Sequence, residues 1–297
     1  MNRLFYTTGK RDIIEEEWNK PNPGDREIEV KSILTGICRS DIDMYNGTFQ
    51  TLPKYIQGHE SVGVVTKVGR NIINVKEGDY VATRGEPAFA DYYNCKANMY
   101  VKVPESSPKY ILEPIACGLN VEECLHVTTT DPILILGSGF LATIVYTALN
   151  RNYTNKVIVV GDANKYFWDK HNVEMTTAYK LGNSKFKYVI DLSDKPEYLS
   201  AGIYDECAKV ILAAEKHPAV STTFSEFLWN AVDVKFPSPR NTTFYSAMCL
   251  AEELVTYGEI DPAPLWTKSY SRDTEVKLAF EDGLNRPLGY SRGYITW

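Results

Sequence analysis

Between Gly36 and Val65 the chain reads GICRSDIDMYNGTFQTLPKYIQGHESVGVV, which sets Cys38 21 residues ahead of His59. A thiolate and a neutral imidazole are zinc ligands, but a catalytic zinc takes three protein ligands and keeps a fourth position open. Taken alone, two such residues more often describe a buried thiol and a hydrogen-bonded histidine. Asp41, Asp43 and Glu60 stand close by in sequence, so carboxylates to orient or supplement a ligand pair are at hand.

A second chemical pattern is Gly137-Ser138-Gly139-Phe140-Leu141-Ala142, a GxGxxA turn with ILIL before it and TIVYTALN after it. The first glycine permits the tight turn and the second lets backbone approach a pyrophosphate. The small third residue lets helix and strand pack closely. Phe140 and Leu141 open the helix whose positive end faces the phosphates, so they join Gly137 and Gly139 as candidate cofactor contacts. Asp162 closes the next apolar run, VIVV, 25 residues after Gly137. There an acid accepts hydrogen bonds from the adenosine ribose and repels a 2′-phosphate, which favours NAD over NADP. Without a ligand, the same pattern is a glycine-rich turn in an α/β domain.

These residues need two kinds of scaffold. REIEVKSILTG follows the turn signal NPGD, and SVGVVTKVG and GDYVATRG follow later; short strands at this spacing predict a small β-barrel or sandwich. From Asp131 to Lys165 an apolar run, a glycine turn, a helix-length segment and a second apolar run predict a βαβ unit with buried parallel strands. FKYVIDLSD predicts another buried strand, and YDECAKVILAAEK has helical composition. A length of 297 residues suits two domains, with the boundary between Glu113 and Asp131.

Composition excludes several classes. The net charge is −6 and no basic run exceeds two residues, which argues against a nucleic-acid footprint. The apolar run from Pro132 to Leu149 is broken by Gly137, Ser138 and Gly139, so no membrane segment is expected, and the start of the chain lacks an apolar signal core. The 6 cysteines are scattered without a CxxC pair, so free thiols and a cytoplasmic location are expected. His126, His171 and His217 are read as surface or capping residues.

Taken in order, Cys38-Arg39-Ser40-Asp41, Gly58-His59-Glu60, SVGVV, PAFADYY at Pro87, VKVPE at Val101, EPIACG at Glu113, the dinucleotide fingerprint and YGEIDPAPL at Tyr257 resemble the zinc-dependent medium-chain dehydrogenase/reductase (alcohol dehydrogenase) family. The resemblance is to its polyol and threonine dehydrogenase branch and covers nearly the whole chain. It implies an α/β protein with a GroES-like β-barrel catalytic domain over residues 1–120 and a Rossmann NAD-binding domain over 121–260. Residues 261–297 would return to the catalytic domain. It further implies one catalytic zinc on Cys38, His59 and Glu113, with Cys117 a rival for the third place.

Glu60 matches a zinc-proximal glutamate that exchanges with water, Ser40 a hydroxyl that passes on the alcohol proton, and Asp41 a carboxylate that orients His59. Arg39 would contact the cofactor pyrophosphate or, equally, be a surface arginine. Trp266 and Lys268 would border the substrate, with side chains around Tyr45, Phe49 and Phe89 lining its pocket. The implied activity is hydride transfer between NAD and a secondary alcohol or polyol, or its carbonyl, by a homodimer or homotetramer without nucleic-acid or membrane partners.

Three departures stand out. The four-cysteine lobe for a structural zinc is missing, which leaves Cys95 isolated and predicts no structural zinc. Asp43 stands on the proton path where the family often has histidine, and an ordinary aspartate, with a pKa near 4, is a poor acid at neutral pH. Residues 213–243 lack the glycine-rich strand beside the nicotinamide. Two alternatives follow: a nucleotide-binding relative with weak chemistry, or a zinc-free quinone or enone reductase of the same fold.

Overall fold

Runs of β-branched and aromatic residues between turn signals build the first part of the chain. The computed structural model describes residues 2–20, 22–200, 202–215 and 224–297, so His217 and part of the 213–243 stretch lie outside the described residues. Strands β1 (Arg3–Thr7) and β2 (Ile13–Glu17) form an antiparallel hairpin. Strands β3 (Glu27–Gly36), β4 (Ser61–Val68), β5 (Tyr80–Thr83), β6 (Tyr92–Lys96) and β7 (Tyr100–Val103) follow, with helix α1 (Arg39–Asn46) between β3 and β4. The long strand β3 is the spine, pairing with β4 along one edge and with β6 on the other.

The chain divides into two compact units, residues 1–116 with 245–297 and residues 117–244. The first division falls inside helix α2 (Glu113–Leu125).

In the second unit, β8 (Ile133–Leu136), α3 (Phe140–Asn152), β9 (Val157–Val160), α4 (Lys165–Lys170), β10 (Glu174–Thr176), α5 (Ala178–Leu181), β11 (Phe186–Asp191), β12 (Tyr204–Leu212), α6 (Ser225–Trp229) and β13 (Asp233–Lys235) follow one another. Among the described residues they give a parallel six-stranded sheet in the order β10-β9-β8-β11-β12-β13. This is a doubly wound sheet whose strand order reverses between β8 and β11, beside the glycine turn. Its core packs Ile133, Ile135, Val145, Leu149 and Val159 around fully buried Trp168.

The helical composition of YDECAKVILAAEK misleads: its first nine residues, Tyr204–Leu212, are strand β12. Tyr204, Ala208, Val210 and Ile211 are buried, and pairing with both β11 and β13 outweighs helix-favouring lysine and alanine.

Helix α7 (Phe244–Thr256) then returns to the first unit, where Thr256 Oγ1 lies 3.2 Å from Tyr110 Oη. The reading of 121–260 as one domain put this helix in the nucleotide-binding unit instead. Strand β14 (Trp266–Ser271), helix α8 (Val276–Asn285) and strand β15 (Arg292–Thr296) close the first unit. Its sheet runs β14-β15-β3-β4-β5-β7, with Tyr294 opposite Gly36 and Ile295 opposite Thr35. The expectation that Tyr45 and Phe89 line a pocket is not met: both are buried in a cluster with Phe5, Ile37, Ile42, Tyr270 and Phe280. No helix among the described residues is long and apolar enough to cross a membrane.

Candidate functional site

The titratable residues singled out in the first unit converge where β3 ends, α1 begins and β4 begins. Cys38 caps α1, and its backbone N–H donates to Asp41 Oδ2 at 2.9 Å, half of a capping box. Cys38, His59 and Glu60 each offer a ligand atom, all within 4.8 Å of one another. Glu113, the first residue of α2, is buried in the same cluster and in electrostatic contact with His59 and Glu60, but it lies outside that trio. Ser40 is half-buried in the first turn of α1.

Two arginines that spacing did not reveal complete the cluster. Arg292, on β15, donates to Glu60 Oε1 from Nη2 and lies 5.4 Å from the Trp266 ring centre. Arg84 Nε is 4.0 Å from Glu113 Oε1. Gly36 makes room for this arrangement: a Cβ there would fall 2.5 Å from Glu60 Oε2 and 3.1 Å from Trp266 Cη2.

The electrostatics of the cluster suit a cation. Burial raises the Glu113 carboxyl to about 7 and the Asp41 carboxyl to about 6. Burial opposes a charge on His59, yet Asp41, Cys38 and Glu113 around it raise its pKa well above the ordinary imidazole value. Protons thus gather where negative groups crowd. Three buried carboxyl groups, Asp41, Glu60 and Glu113, face two guanidiniums, Arg84 and Arg292, so acids outnumber arginines in the cluster. Glu60 Oε2 and Asp41 Oδ1 are buried and make no hydrogen bond among the described residues. Buried carboxylate oxygens so placed, beside a thiol and an imidazole, fit a zinc-type cation.

Asp43 is engaged differently from a solvent-facing acid. Its Oδ1 accepts from Arg39 Nε at 2.8 Å and from Thr48 Oγ1 at 3.4 Å. Lys268 pairs with Asp282, and Trp266 is buried beside Gly36. Cys95 is a buried thiol whose Sγ donates to Met99 O at 3.3 Å, and eight residues, 84–91, join β5 to β6.

In the second unit the fingerprint forms the turn from β8 into α3. Gly137 has φ +108°, and a Cβ on it would meet the Leu192 carbonyl at 3.2 Å, so only glycine fits without strain. At Gly139 an added Cβ would meet nothing within 4 Å, leaving the backbone approachable. Ala142 is buried between helix and sheet. The Phe140 side chain is buried and Leu141 packs on the core, so these residues offer a ligand their backbone rather than their side chains.

Asp162 is exposed just beyond β9. Ser138 holds that stretch to the turn, its Oγ accepting from Ala163 N at 2.8 Å and its carbonyl from Asn164 Nδ2 and Trp168 Nε1 at 3.2 Å each. The sequence reading passed over Ser138 because x in GxGxxA carries no chemical signal.

Residues 24–105 match the family described as Alcohol dehydrogenase GroES-like domain. The chain is 30% identical to an alcohol dehydrogenase of Moraxella sp. (strain TAE123) over 161 residues, 42% of this chain and 48% of that one. It is 25% identical to sorbitol dehydrogenase of Ovis aries over 193 residues, 53% of this chain and 54% of that one. The chain thus spans about half the length of these relatives.

A solved short chain alcohol dehydrogenase from E. coli CFT073, complexed with NADH, superposes with a TM-score of 0.83 at 19% identity, covering 100% of this chain and 99% of that one. Alcohol dehydrogenase TADH from Thermus sp. ATN1 gives 0.82 at 14% identity, with 100% and 99% covered. Residues 24–105 thus carry an alcohol dehydrogenase GroES-like domain, and with its parallel six-stranded sheet the chain has the fold of these solved dehydrogenases.

Proposed function

We propose that the protein is a zinc- and NAD-dependent oxidoreductase that interconverts a secondary alcohol or polyol and its carbonyl compound. The observation that carries this reading is the grouping of Cys38, His59 and Glu60 within 4.8 Å amid buried carboxylates in excess over arginines. When bound, zinc supplies a Lewis acid for the substrate oxygen and NAD a hydride acceptor.

The chain's own residues do the rest. Cys38 and His59 would hold the metal with Glu113, and Glu60 would be the nearby carboxylate that exchanges with water. Asp41 keeps His59 oriented, and Arg292 fixes Glu60. The Ser40 hydroxyl takes the alcohol proton and passes it on.

Gly137, Gly139 and the backbone of Phe140 and Leu141 receive the pyrophosphate at the start of α3, and Asp162 favours NAD over NADP through the ribose hydroxyls. Arg39 is proposed to contact the pyrophosphate as well. A zinc-free quinone or enone reductase has no use for so acidic a buried cluster. A homodimer or homotetramer is supported by exposed Phe224, Leu228, Trp229 and Phe236 beside edge strand β13.

Metal content by mass spectrometry tests the reading on protein purified without chelator. About one zinc per chain is expected, as for a single catalytic site, lost in Cys38→Ser and in His59→Ala. Well-folded wild-type protein without zinc would sink the Lewis-acid chemistry and shift the weight to a nucleotide-binding relative.

A further inference from the structure

The second residue of the glycine turn has no part in the chemistry above, yet it is built into the unit on every side. Ser138 is 4% exposed. Its Oγ accepts from the backbone N–H of Ala163 at 2.8 Å, and its carbonyl accepts from Asn164 Nδ2 and Trp168 Nε1 at 3.2 Å each. Gly161 allows this approach, because a Cβ there would fall 2.3 Å from Ser138 Oγ. Asn164 takes a left-handed backbone, φ +53°, which asparagine tolerates, and Trp168 is fully buried. The turn leaving β9 and the start of α4 are therefore latched to the glycine turn at three points, all through Ser138.

Asp162 stands inside the latched stretch. It is exposed and makes no hydrogen bond or ion pair among the described residues, so its own side chain does not fix its place. Lys165, the nearest cation along the chain, is held by both carboxylate oxygens of Asp169, at 2.8 and 2.9 Å. We propose that Ser138 is a positioning residue for cofactor discrimination. Its latch keeps Asp162 at a fixed reach from the phosphate-binding turn, the reach of a nucleoside 5′-phosphate whose ribose hydroxyls are both free. A carboxylate on a loose turn could swing away from a 2′-phosphate, whereas a latched one keeps its repulsion and so its selectivity. The latch also spares the turn an ordering cost when the ribose arrives. This rests on the proposed nucleotide-binding function and lies wholly within the second unit.

The test compares NADH and NADPH dissociation constants, read by cofactor fluorescence in the full chain, with a urea midpoint for each variant to show that folded protein is compared. Ser138→Ala removes one hydrogen bond and should weaken NADH by about two- to tenfold, while NADPH affinity holds or rises. Asp162→Ala should lose the preference for NADH more fully. Adding Ser138→Ala to it should leave the NADH to NADPH ratio where Asp162→Ala sets it. Asn164→Gly keeps the left-handed backbone, loses the amide and should move the ratio in the same direction as Ser138→Ala, so it carries the test should Ser138→Ala fail to fold.

Equal losses of NADH and NADPH in Ser138→Ala, or a ratio unmoved by Ser138→Ala and Asn164→Gly, would overturn the proposal. So would a further shift of the ratio when Ser138→Ala joins Asp162→Ala. Wild-type protein that binds neither nucleotide would refute the nucleotide reading itself, a failure distinct from one in which NADH binds and Ser138 is indifferent to it.

Discussion

Arg292→Met takes the cation out of a pair whose side chains are 11% exposed on the arginine and 1% on the glutamate. Glu60 Oε1 then loses its guanidinium donor, while Oε2 already makes no hydrogen bond among the described residues. A buried carboxylate left with only the His59 imidazole, 3.9 Å from Oε1, is still an expensive case: breaking such a pair from one side costs about 3–5 kcal/mol.

Metal-free protein is the form to test, because a bound divalent ion would itself neutralise Glu60. In urea unfolding with a slope of about 3 kcal/mol/M, the midpoint should fall by about 1–1.7 M. Glu60→Gln with Arg292→Met leaves neither charge and should recover most of the loss, so the two substitutions must be strongly non-additive. A single variant with its midpoint within about 0.3 M of wild type would refute the reasoning. So would a double variant no more stable than the single one.

Gly137→Ala should weaken NADH binding by more than about tenfold, since the φ of +108° and the nearby Leu192 carbonyl force the turn to move at a cost of about 1–3 kcal/mol; zinc content should stay at the wild-type value. Metal-free protein should lose stability as the pH climbs from about 4 to about 7. Glu113 and Asp41, raised from 4.5 to about 7 and from 3.8 to about 6, bind more protons folded than unfolded in that window. His59 acts in the same direction: its folded-state pKa is raised, so its favourable contribution is complete at low pH and lost as the pH rises through that pKa. Urea midpoints measured across the range check this, and Glu113→Gln should flatten the profile. Zinc uptake near neutral pH should release protons into a weakly buffered indicator solution.

The parts of the molecule that could be read in advance depend on local pattern. GxGxxA between ILIL and a helix-length segment announces the turn because each glycine answers to a short-range steric need, and Gly137 and Gly139 behave as those needs predict. Cys38 and His59 could be paired on paper, but their shared surroundings could not. Glu60 meets an arginine 232 residues away, and nothing in the spacing of SRGY singles out Arg292.

Tyr204–Leu212 was misjudged because lysine, glutamate and alanine report local helix preference, whereas the segment is fixed by two flanking strands distant in sequence. Tyr45 and Phe89 differ from expectation for a related reason: an aromatic packs inward where elements distant in sequence supply apolar partners, here Phe5, Tyr270 and Phe280.

The distance along the chain between Glu60 and Arg292 also sets an order of events. A ribosome adding about 5–20 residues per second needs roughly 12–46 s to cover that interval. For that time the Leu34–Gly36 end of β3 lacks the neighbour that β15 later supplies, and Glu60 lacks its cation. The stretch that folds into the six-stranded sheet is made entirely within the same wait. A nascent chain therefore passes through a stage with its nucleotide-type unit translated and its metal cluster incomplete. In that stage an exposed strand edge and the apolar cluster around Phe5, Ile37 and Ile42, still waiting for Tyr270 and Phe280, are open to misassociation together.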